Sequence, residues 1–460
     1  MKNRITLVNV VSEGALYNNT RMPALSLAYL AAYVPKNWDV RIVDETVEPF
    51  NAFKHIDGSD IVGISGGNVC NIERIIKHLE AIQEHDSVAD TNTPVVLGGY
   101  VGGLDVAGLP NRVDAIVSGP GELALQELLH DFERGKLKGK YAGKRLPLNL
   151  LKSPDFSSFN LEGYGKNINW PVQTSVSCDN KCTFCSARFV YGDGYAARDP
   201  ELVLKDIRAL PNGDRMYFTD PNIVHFSEHG MQRAKELFSG MSKMRKKHTW
   251  FGSVGFQIRE HDDLLSLIRD SGCYGLLIGF DSMSPKSLAA VSSAKSQSLE
   301  GKDIMAYHVE GVKKIQEQYG IKVLGTFVVG FDSDTDETLN NTIRFVKESG
   351  MNDAQYLPFT PLPGTPAFDD MKRAGRIFDD DFSHYDFTDV VFVPNNFSPR
   401  ELRRGFVKMY DETVPRMLKI YRRLGLIRDR PDEIRVQSMR QRAIEADRQA
   451  ANRGGGGGHH

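Results

Sequence analysis

Short runs of Val, Ile and Leu alternate with longer segments of helical periodicity from the first residues to about residue 375, and this alternation constrains the fold more than any other feature. In the first series, residues 5–10, 39–44, 61–65, 94–99 and 115–118 read as strands, and residues 23–34, 72–84 and 122–133 as helices. Strands apolar on both faces need cover on both faces, so the reading is α/β: a Rossmann-like, doubly wound parallel sheet. Such sheets take ligands at the carboxyl ends of their strands. Here those ends fall at residues 9–13, 65–68, 98–102 and 119–122, and they are rich in Gly and Ser. Glycine there lets a large flat ligand approach the backbone, although tight βα turns account for the same glycines.

A second series begins near residue 171. Its strands are expected at 171–175, 216–219, 250–254, 274–278, 323–329 and 354–357, and its helices at 200–210, 229–244, 262–271, 284–290, 304–319 and 336–350. Six βα units fit a partial (β/α)6 barrel, whose chemistry belongs at the carboxyl ends of the strands. Between the series, residues 136–170 are broken by Pro147 and Pro154 and read as a linker. Beyond 375, residues 382–394 are aromatic and acidic. Ser398-Pro399 then opens a basic amphipathic helix expected to run through 424, with Arg403, Arg404, Lys408, Arg416, Lys419, Arg422 and Arg423. The expected organisation is 1–135, 136–170, 171–375, a mainly helical C-terminal region at 376–453 ending in an Arg-rich stretch from 434, and a tag-like tail at 454–460.

Acids and bases nearly balance, at a formal charge of −2, so nothing suggests a nucleic-acid partner. No apolar run approaches the ~20 residues of a transmembrane helix, and no signal peptide opens the chain. A cytoplasmic location is expected.

Three of the five cysteines, Cys178, Cys182 and Cys185, stand in eight residues after the first strand of the second series. Zinc would want a fourth ligand, and Cys70 and Cys273 lie about a hundred residues away on either side. A disulfide with one thiol left over fits poorly with so few cysteines and no secretion signal. The third reading is an iron–sulfur cluster, which normally takes four thiolates and with three would leave one iron open.

CxxxCxxC with an aromatic residue, Phe184, before the last cysteine resembles the signature of the radical S-adenosylmethionine (SAM) superfamily. Other segments resemble that family in order. They are Tyr217-Phe218-Thr219-Asp220, without the usual glycines; Gly279-Phe280-Asp281-Ser282; Gly325 to Gly330 with Glu337; and Pro361-Leu362-Pro363-Gly364-Thr365. Gly63-Ile64-Ser65, Leu97-Gly98-Gly99 and Gly119-Pro120-Gly121-Glu122 resemble the cobalamin-binding domain that precedes many radical SAM cores. The resemblance implies a [4Fe-4S] cluster on Cys178, Cys182 and Cys185. It implies SAM contacts at Phe184, Thr219, Asp220, Asp281, Ser282, Gly325, Val329 and Leu357, and cobalamin contacts at Ser65, Gly66, Gly67, Asn68, Gly98, Gly99, Tyr100, Gly119 and Glu122. The DxHxxG motif that places a histidine on cobalt is missing, so cobalamin would bind without one. A lone Cys70 cannot hold the second cluster of the methylthiotransferases.

The implied activity is methylation of an unactivated carbon of a small-molecule or lipid-like substrate through a 5′-deoxyadenosyl radical, with an external electron donor. Alternatives are a radical cyclisation, rearrangement, oxidation or carbon–carbon coupling without methyl transfer and, from another class, a metal-binding scaffold without catalysis. Arg188 and Arg198 are read as partners of the SAM carboxylate or of surface acids, His225 and His261 as structural, and Cys70 and Cys273 as buried.

Overall fold

The Val- and Ile-rich runs pair side by side in parallel, as burial on both faces demands. In the computed structural model, which describes residues 2–11, 21–104, 112–165, 168–192, 194–210, 215–245 and 248–413, six of them make the first sheet. These are β1 (Asn3–Val10), β2 (Trp38–Asp44), β3 (Ile61–Gly66), β4 (Val95–Gly98), β5 (Ala115–Ser118) and β6 (Lys140–Ala142), in the order β2-β1-β3-β4-β5-β6. All five pairings are parallel. The winding reverses between β1 and β3, and at such a reversal the strand ends leave a crevice. Helices Leu25–Tyr33, Ile72–Ala89 and Gly121–Glu133 alternate with the strands. Ile72–Ala89 buries Ile72, Ile75, Leu79 and Ile82, a three-to-four spacing that gives it one apolar stripe. Each such side chain gains ~2–3 kcal/mol on burial.

β6 lies inside the stretch expected to be linker. Only Tyr141 of its three residues is buried, so the strand is too short to show an alternating pattern. The rest of that stretch packs tightly. Tyr164 donates from its hydroxyl to Asp44 at 2.5 Å, and the N–H of Asp155 donates to the Ala28 carbonyl at 2.9 Å.

The second series gives β7 (Asn169–Val172), β8 (Ser175–Val176), β9 (Ala196–Ala197), β10 (Arg215–Phe218), β11 (Thr249–Ser253), β12 (Cys273–Asp281), β13 (Lys322–Val329) and β14 (Asp353–Pro358). β8 and β9 form a small antiparallel pair. The others lie in the order β14-β13-β12-β11-β10-β7. Each strand sits beside its successor with no reversal, the order of an open (β/α)6 barrel. Several of the helices between them start at a local signal. Pro200–Ala209 and Pro285–Val291 have Pro in the first turn, and Thr335 closes a capping box on Asp336–Ser349. The helix expected over 304–319 is α only to Lys313 and ends in a π turn, Lys314–Gln318. The last described helix, Pro399–Thr413, is the beginning of the one expected through 424. The expected basic positions Arg416, Lys419, Arg422 and Arg423, and residues 434–460, lie outside the described residues.

Packing divides the chain into two compact units: residues 1–179 with 186–276, and residues 180–185 with 277–460. Among the described residues no helix is long and apolar enough to cross a membrane.

One buried ion cluster braces the carboxyl end of β2. Glu45, with a side chain 1% exposed, receives Nε and Nη2 of Arg74 at 2.7 Å each, the N–H of Val11 and the N–H of Phe50. Burial opposes its charge. His78, Arg74 and the Phe50 N–H outweigh that and hold the carboxyl down at about 2. The folded value lies below the unfolded one of about 4.3. The stabilisation is therefore complete above roughly pH 5 and is lost as pH falls towards 2. Glu45→Gln is expected to cost ~2–3 kcal/mol at pH 7, with a difference in urea midpoint from the parent that shrinks steadily on acidification. A pH-independent difference would contradict this account.

Candidate cofactor sites

The crevice predicted by the strand order is a cavity of about 590 Å³ in the first unit. Ser65, Gly98, Gly99, Tyr100, Gly119 and Glu122 line it from the carboxyl ends of β3, β4 and β5. Leu25, Tyr29 and Leu30 of the first helix line it as well. Gln173, Thr219, Phe189 and Tyr191, from the first βα elements of the second series, also reach it. The Tyr100 and Phe189 rings meet edge to face with centroids 5.2 Å apart.

Glycine is obligatory at two points of this rim. Gly99 has φ +76°, and a Cβ there would stand 2.7 Å from the Gly66 carbonyl oxygen. A Cβ on Gly143 would come within 1.8 Å of the Pro120 carbonyl oxygen, in the turn between Gly119 and Glu122. Gly66, Gly67 and Asn68, expected to contact the same ligand, do not line the cavity. A Cβ on Gly66 would meet Ile75 and Val101 at 2.7 Å, so this glycine serves helix packing. Gly67 faces open space, and the Asn68 side chain caps the following turn by accepting from the Val69 N–H.

Among the described residues, the charged ones of the lining are Glu122 and Arg145. Burial raises the Glu122 carboxyl above the usual carboxylate range, against its own backbone N–H at the helix start. It also pushes the Tyr29 hydroxyl up to about 12, opposed chiefly by Arg198.

The cysteine loop leaves the barrel through a buried polar knot. Asp220, just past β10, is 2% exposed. It accepts from the Thr174 N–H and hydroxyl and from the Ser175 hydroxyl. The Thr174 carbonyl in turn receives the Arg198 N–H and Nη2 of Arg233, each at 2.8 Å. This turn at 173–174 splits the expected strand 171–175 into β7 and β8. It also commits the Asp220 carboxylate inside the fold, where burial raises its pKa against the Ser175 and Thr174 bonds. Arg198 does not wait for a ligand either, because Nη1 pairs with Asp206 at 2.6 Å and the side chain is 3% exposed.

Two non-glycine residues in the left-handed region bend the loop: Ser177, fully buried at φ +63°, and Lys181 at φ +48°. Such geometry costs of order 1–3 kcal/mol per residue and persists where surroundings enforce it. Ser177 is held by its hydroxyl, which donates to the Gly192 carbonyl at 2.7 Å.

None of the five cysteines is in a disulfide; Cys70 and Cys273 are buried, Cys178 and Cys182 half-buried and Cys185 exposed. Among the described residues no three His, Cys, Asp or Glu side chains stand gathered around one ion. The donor set nevertheless fits a cluster held by three thiolates, since the three thiols share one bent loop and the other two cysteines are committed to cores.

In the second unit, residues 180–185 are bolted down by backbone. The Thr183 N–H donates to the Val291 carbonyl at 3.0 Å, the Ala367 N–H to the Thr183 carbonyl at 3.2 Å, and the Ser292 hydroxyl to the Asn180 carbonyl at 3.1 Å. The Phe184 ring lies 5.6 Å from that of Phe331. Burial pushes the Cys182 thiol up to about 11, with Lys295 pulling the other way. Lys295 Nζ is held between the Gly279 carbonyl, at 2.9 Å, and the Asp281 carboxylate. Asp281 ends β12 in the left-handed region, at φ +59°. Ser282 beside it is buried, and its hydroxyl accepts the Ser284 N–H at 3.1 Å. Val329 is buried and Leu357 half-buried on the neighbouring strands. Gly325 turns its bare face to Met351 Sδ, 2.8 Å from where a Cβ would stand, so only its backbone is available to a ligand.

Residues 172–346, which carry the cysteine loop and the four barrel strands from β10 to β13, match the profile of the radical SAM superfamily. That segment is a radical SAM domain. The chain is thus a radical SAM enzyme, of a family that uses a [4Fe-4S] cluster and SAM.

Likeness extends beyond the core. The bacteriochlorophyllide d C-12(1)-methyltransferase of Chlorobaculum tepidum is 26% identical over 398 residues, 84% of this chain and 82% of that protein. The hopanoid C-2 methylase of Rhodopseudomonas palustris is 25% identical over 375 residues, 78% of this chain and 66% of that one. Among solved structures, the cobalamin-dependent radical SAM enzyme OxsB, with aqua-cobalamin and SAM bound, superposes with a TM-score of 0.71 at 16% identity, covering 96% of this chain and 71% of that one. That similarity is one of fold.

Within this radical SAM chain, residues with no sequence signal join the expected ones. Arg145 lies in the expected linker and Lys295 in a Ser-rich stretch; the fold brings Arg145 into the lining of the cavity and Lys295 onto Asp281. The cavity rim itself can be tested by volume. Gly143→Ala should destabilise the protein by ~3 kcal/mol because backbone must move. Gly139→Ala, with nothing within 4 Å of the added methyl, should stay within about 0.5 kcal/mol. Equal urea midpoints for the two variants would show that the Pro120 turn yields freely.

Proposed function

We propose that this radical SAM enzyme is a cobalamin-dependent C-methyltransferase acting on an unactivated carbon of a small-molecule or lipid-like substrate. One observation carries the reading. The cavity at the reversal point of the doubly wound sheet is also walled by Phe189 and Tyr191, from the segment that directly follows the cysteines, and by Thr219, at the end of a barrel strand. The methylases of bacteriochlorophyllide and of hopanoids among its relatives supply the methyl-transfer part and the substrate class.

Cys178, Cys182 and Cys185 would hold the cluster as thiolates. When bound, the cluster with SAM supplies a 5′-deoxyadenosyl radical for hydrogen abstraction, and cobalamin supplies the methyl group; an external donor supplies electrons. The chain's own residues bind, orient and exclude water. Gly98, Gly99 and Gly119 present bare backbone to a flat ligand, with Ser65 and Tyr100 alongside. Glu122, whose carboxyl burial raises above the usual carboxylate range, stands beside these glycines at the start of its helix.

In the second unit Asp281 and Ser282, at the carboxyl end of β12, would orient the ribose or carboxylate of SAM. Lys295 donates to Asp281 and holds it in place. Phe184, Val329 and Leu357 offer apolar surface and Gly325 its backbone. Thr219 contributes from its strand end, with Asp220 acting through the backbone it fixes.

Anaerobic reconstitution with iron, sulfide and cobalamin, followed by reduction in the presence of methyl-labelled SAM and candidate lipids or tetrapyrroles, tests the proposal. The expected outcome is absorption near 400 nm, 5′-deoxyadenosine release and label on a substrate carbon. Cys182→Ala should lower deoxyadenosine release by at least about 1,000-fold, as loss of a metal ligand would. Cleavage of SAM with a cyclised or oxidised, unlabelled product would replace methyl transfer by another radical outcome. Absence of both iron and cleavage would refute the enzyme assignment of the site.

A further inference from the structure

The residue after the first cysteine is received by groups that the reaction as described does not use. Asp179 belongs to the cysteine loop, and one carboxylate oxygen is hydrogen-bonded to Nε2 of His225. The other accepts the Tyr195 N–H at 3.3 Å. The Tyr195 ring stacks on the His225 ring, with centroids 4.7 Å apart and planes 29° from parallel.

His225 is itself fixed from behind. Its Nδ1 accepts the Ser227 N–H at 3.3 Å and lies 2.8 Å from the Ser227 hydroxyl. A ring nitrogen that accepts a backbone N–H carries no proton, so Nε2 carries the hydrogen it presents to Asp179. Ser227 then caps the helix Glu228–Ser242 by accepting the Gly230 N–H at 3.1 Å. The turn is too tight for any side chain at 230, where a Cβ would stand 2.3 Å from the His225 carbonyl oxygen. A rigid path thus runs from a fifteen-residue helix, through Ser227 and the His225 ring, to the carboxylate adjoining Cys178.

A surface ion pair has no need of such support. Asp179 is 53% exposed and His225 27%, and an exposed pair of this kind contributes little to stability. Fixing a neighbour of a metal-ligating thiol is a different matter. Groups that orient ligands set how readily the metal is taken up and kept, and hydrogen bonds and net charge at a cluster set its potential.

We propose that His225 is a positioning residue for the iron–sulfur cluster: through Asp179 it aims the peptide that carries Cys178, and it places an N–H against the carboxylate next to that thiol. This rests on the reading of Cys178 as a cluster ligand.

The test uses the full chain and its variants His225→Phe, His225→Gln, Asp179→Asn and the double variant His225→Phe/Asp179→Asn. Each is reconstituted anaerobically; iron retained against a chelator and the midpoint potential by EPR-monitored titration are read alongside the circular dichroism spectrum. His225→Phe should hold iron about 10-fold less tightly and be reduced at a lower potential, since the carboxylate loses its donor. His225→Gln, whose amide can donate to Asp179, should recover most of the retention. The double variant should return the potential towards the parent value, because the charge is gone.

Folded His225→Phe with parental retention and potential would overturn the proposal. If that variant does not fold, Asp179→Asn decides, with a raised potential expected and an unchanged one overturning it. A parent protein that takes up no cluster would overturn the cluster reading and this inference together, whereas a loaded parent with indifferent variants would overturn the inference alone.

Discussion

The structure around the cysteine loop depends on one buried carboxylate. Taking Asp220 out of water costs several kcal/mol, and that cost is met only if its oxygens are fully engaged. The Thr174 N–H, the Thr174 hydroxyl and the Ser175 hydroxyl engage them. Hydrogen bonds to a charged group are worth ~1.5–3 kcal/mol each, so three donors and a burial penalty come out of similar size. The raised pKa agrees, with burial the largest influence and the Ser175 and Thr174 bonds opposing it. The net effect is specificity of shape more than stability. A strand that would otherwise run on from β7 must turn at Thr174, and the chain enters the loop from a fixed point.

That fixed point explains how two left-handed residues can persist next to the thiols. Ser177 and Lys181 have side chains that disfavour their backbone conformation. At Ser177 the strain is opposed by complete burial and a hydroxyl bond to Gly192. Glycine would have adopted both angles freely, but it would also have let the loop leave them. Side-chain-bearing residues that are forced into the bend keep the cysteines' peptide in one conformation.

The large-scale architecture was legible in the sequence because parallel sheets write themselves as long apolar runs. The expected strand at 115–118 coincides with β5, and the others agree within a few residues. β6 escaped because one buried tyrosine makes no period, and the break between β7 and β8 because Thr174 and Ser175 look like strand residues until Asp220, forty-six positions on, is placed beside them. The site divides the same way. Ser65, Gly98, Gly99, Tyr100, Gly119 and Glu122 were reachable as glycine-rich strand ends. Gly66, Gly67 and Asn68 carry the same signal but stand outside the cavity lining: Ile75 and Val101 leave no room for a Cβ at 66, position 67 faces open space, and the Asn68 side chain is engaged in a cap. Sequence marks where backbone must bend or come close, and cannot distinguish a ligand from a helix as the cause.

The chemistry of the cavity follows from how little charge it contains. Among the described residues the charged ones of the lining are Glu122 and Arg145, and burial raises the Glu122 carboxyl above the usual carboxylate range, so the described walls act little by Coulomb attraction. What they offer is apolar contact from Leu25, Tyr29 and Leu30, exposed backbone at the rim glycines, and an edge-to-face aromatic pair in Tyr100 and Phe189. Binding of this kind scales with buried area and shape, so it favours a ligand that is broad and weakly charged over one that is small and ionic. The rim glycines add the reason that the ligand must also be flat. Backbone at Gly99 already lies so close to Gly66 that no methyl group fits between them, and a surface made of main chain is matched best by a face with few projections.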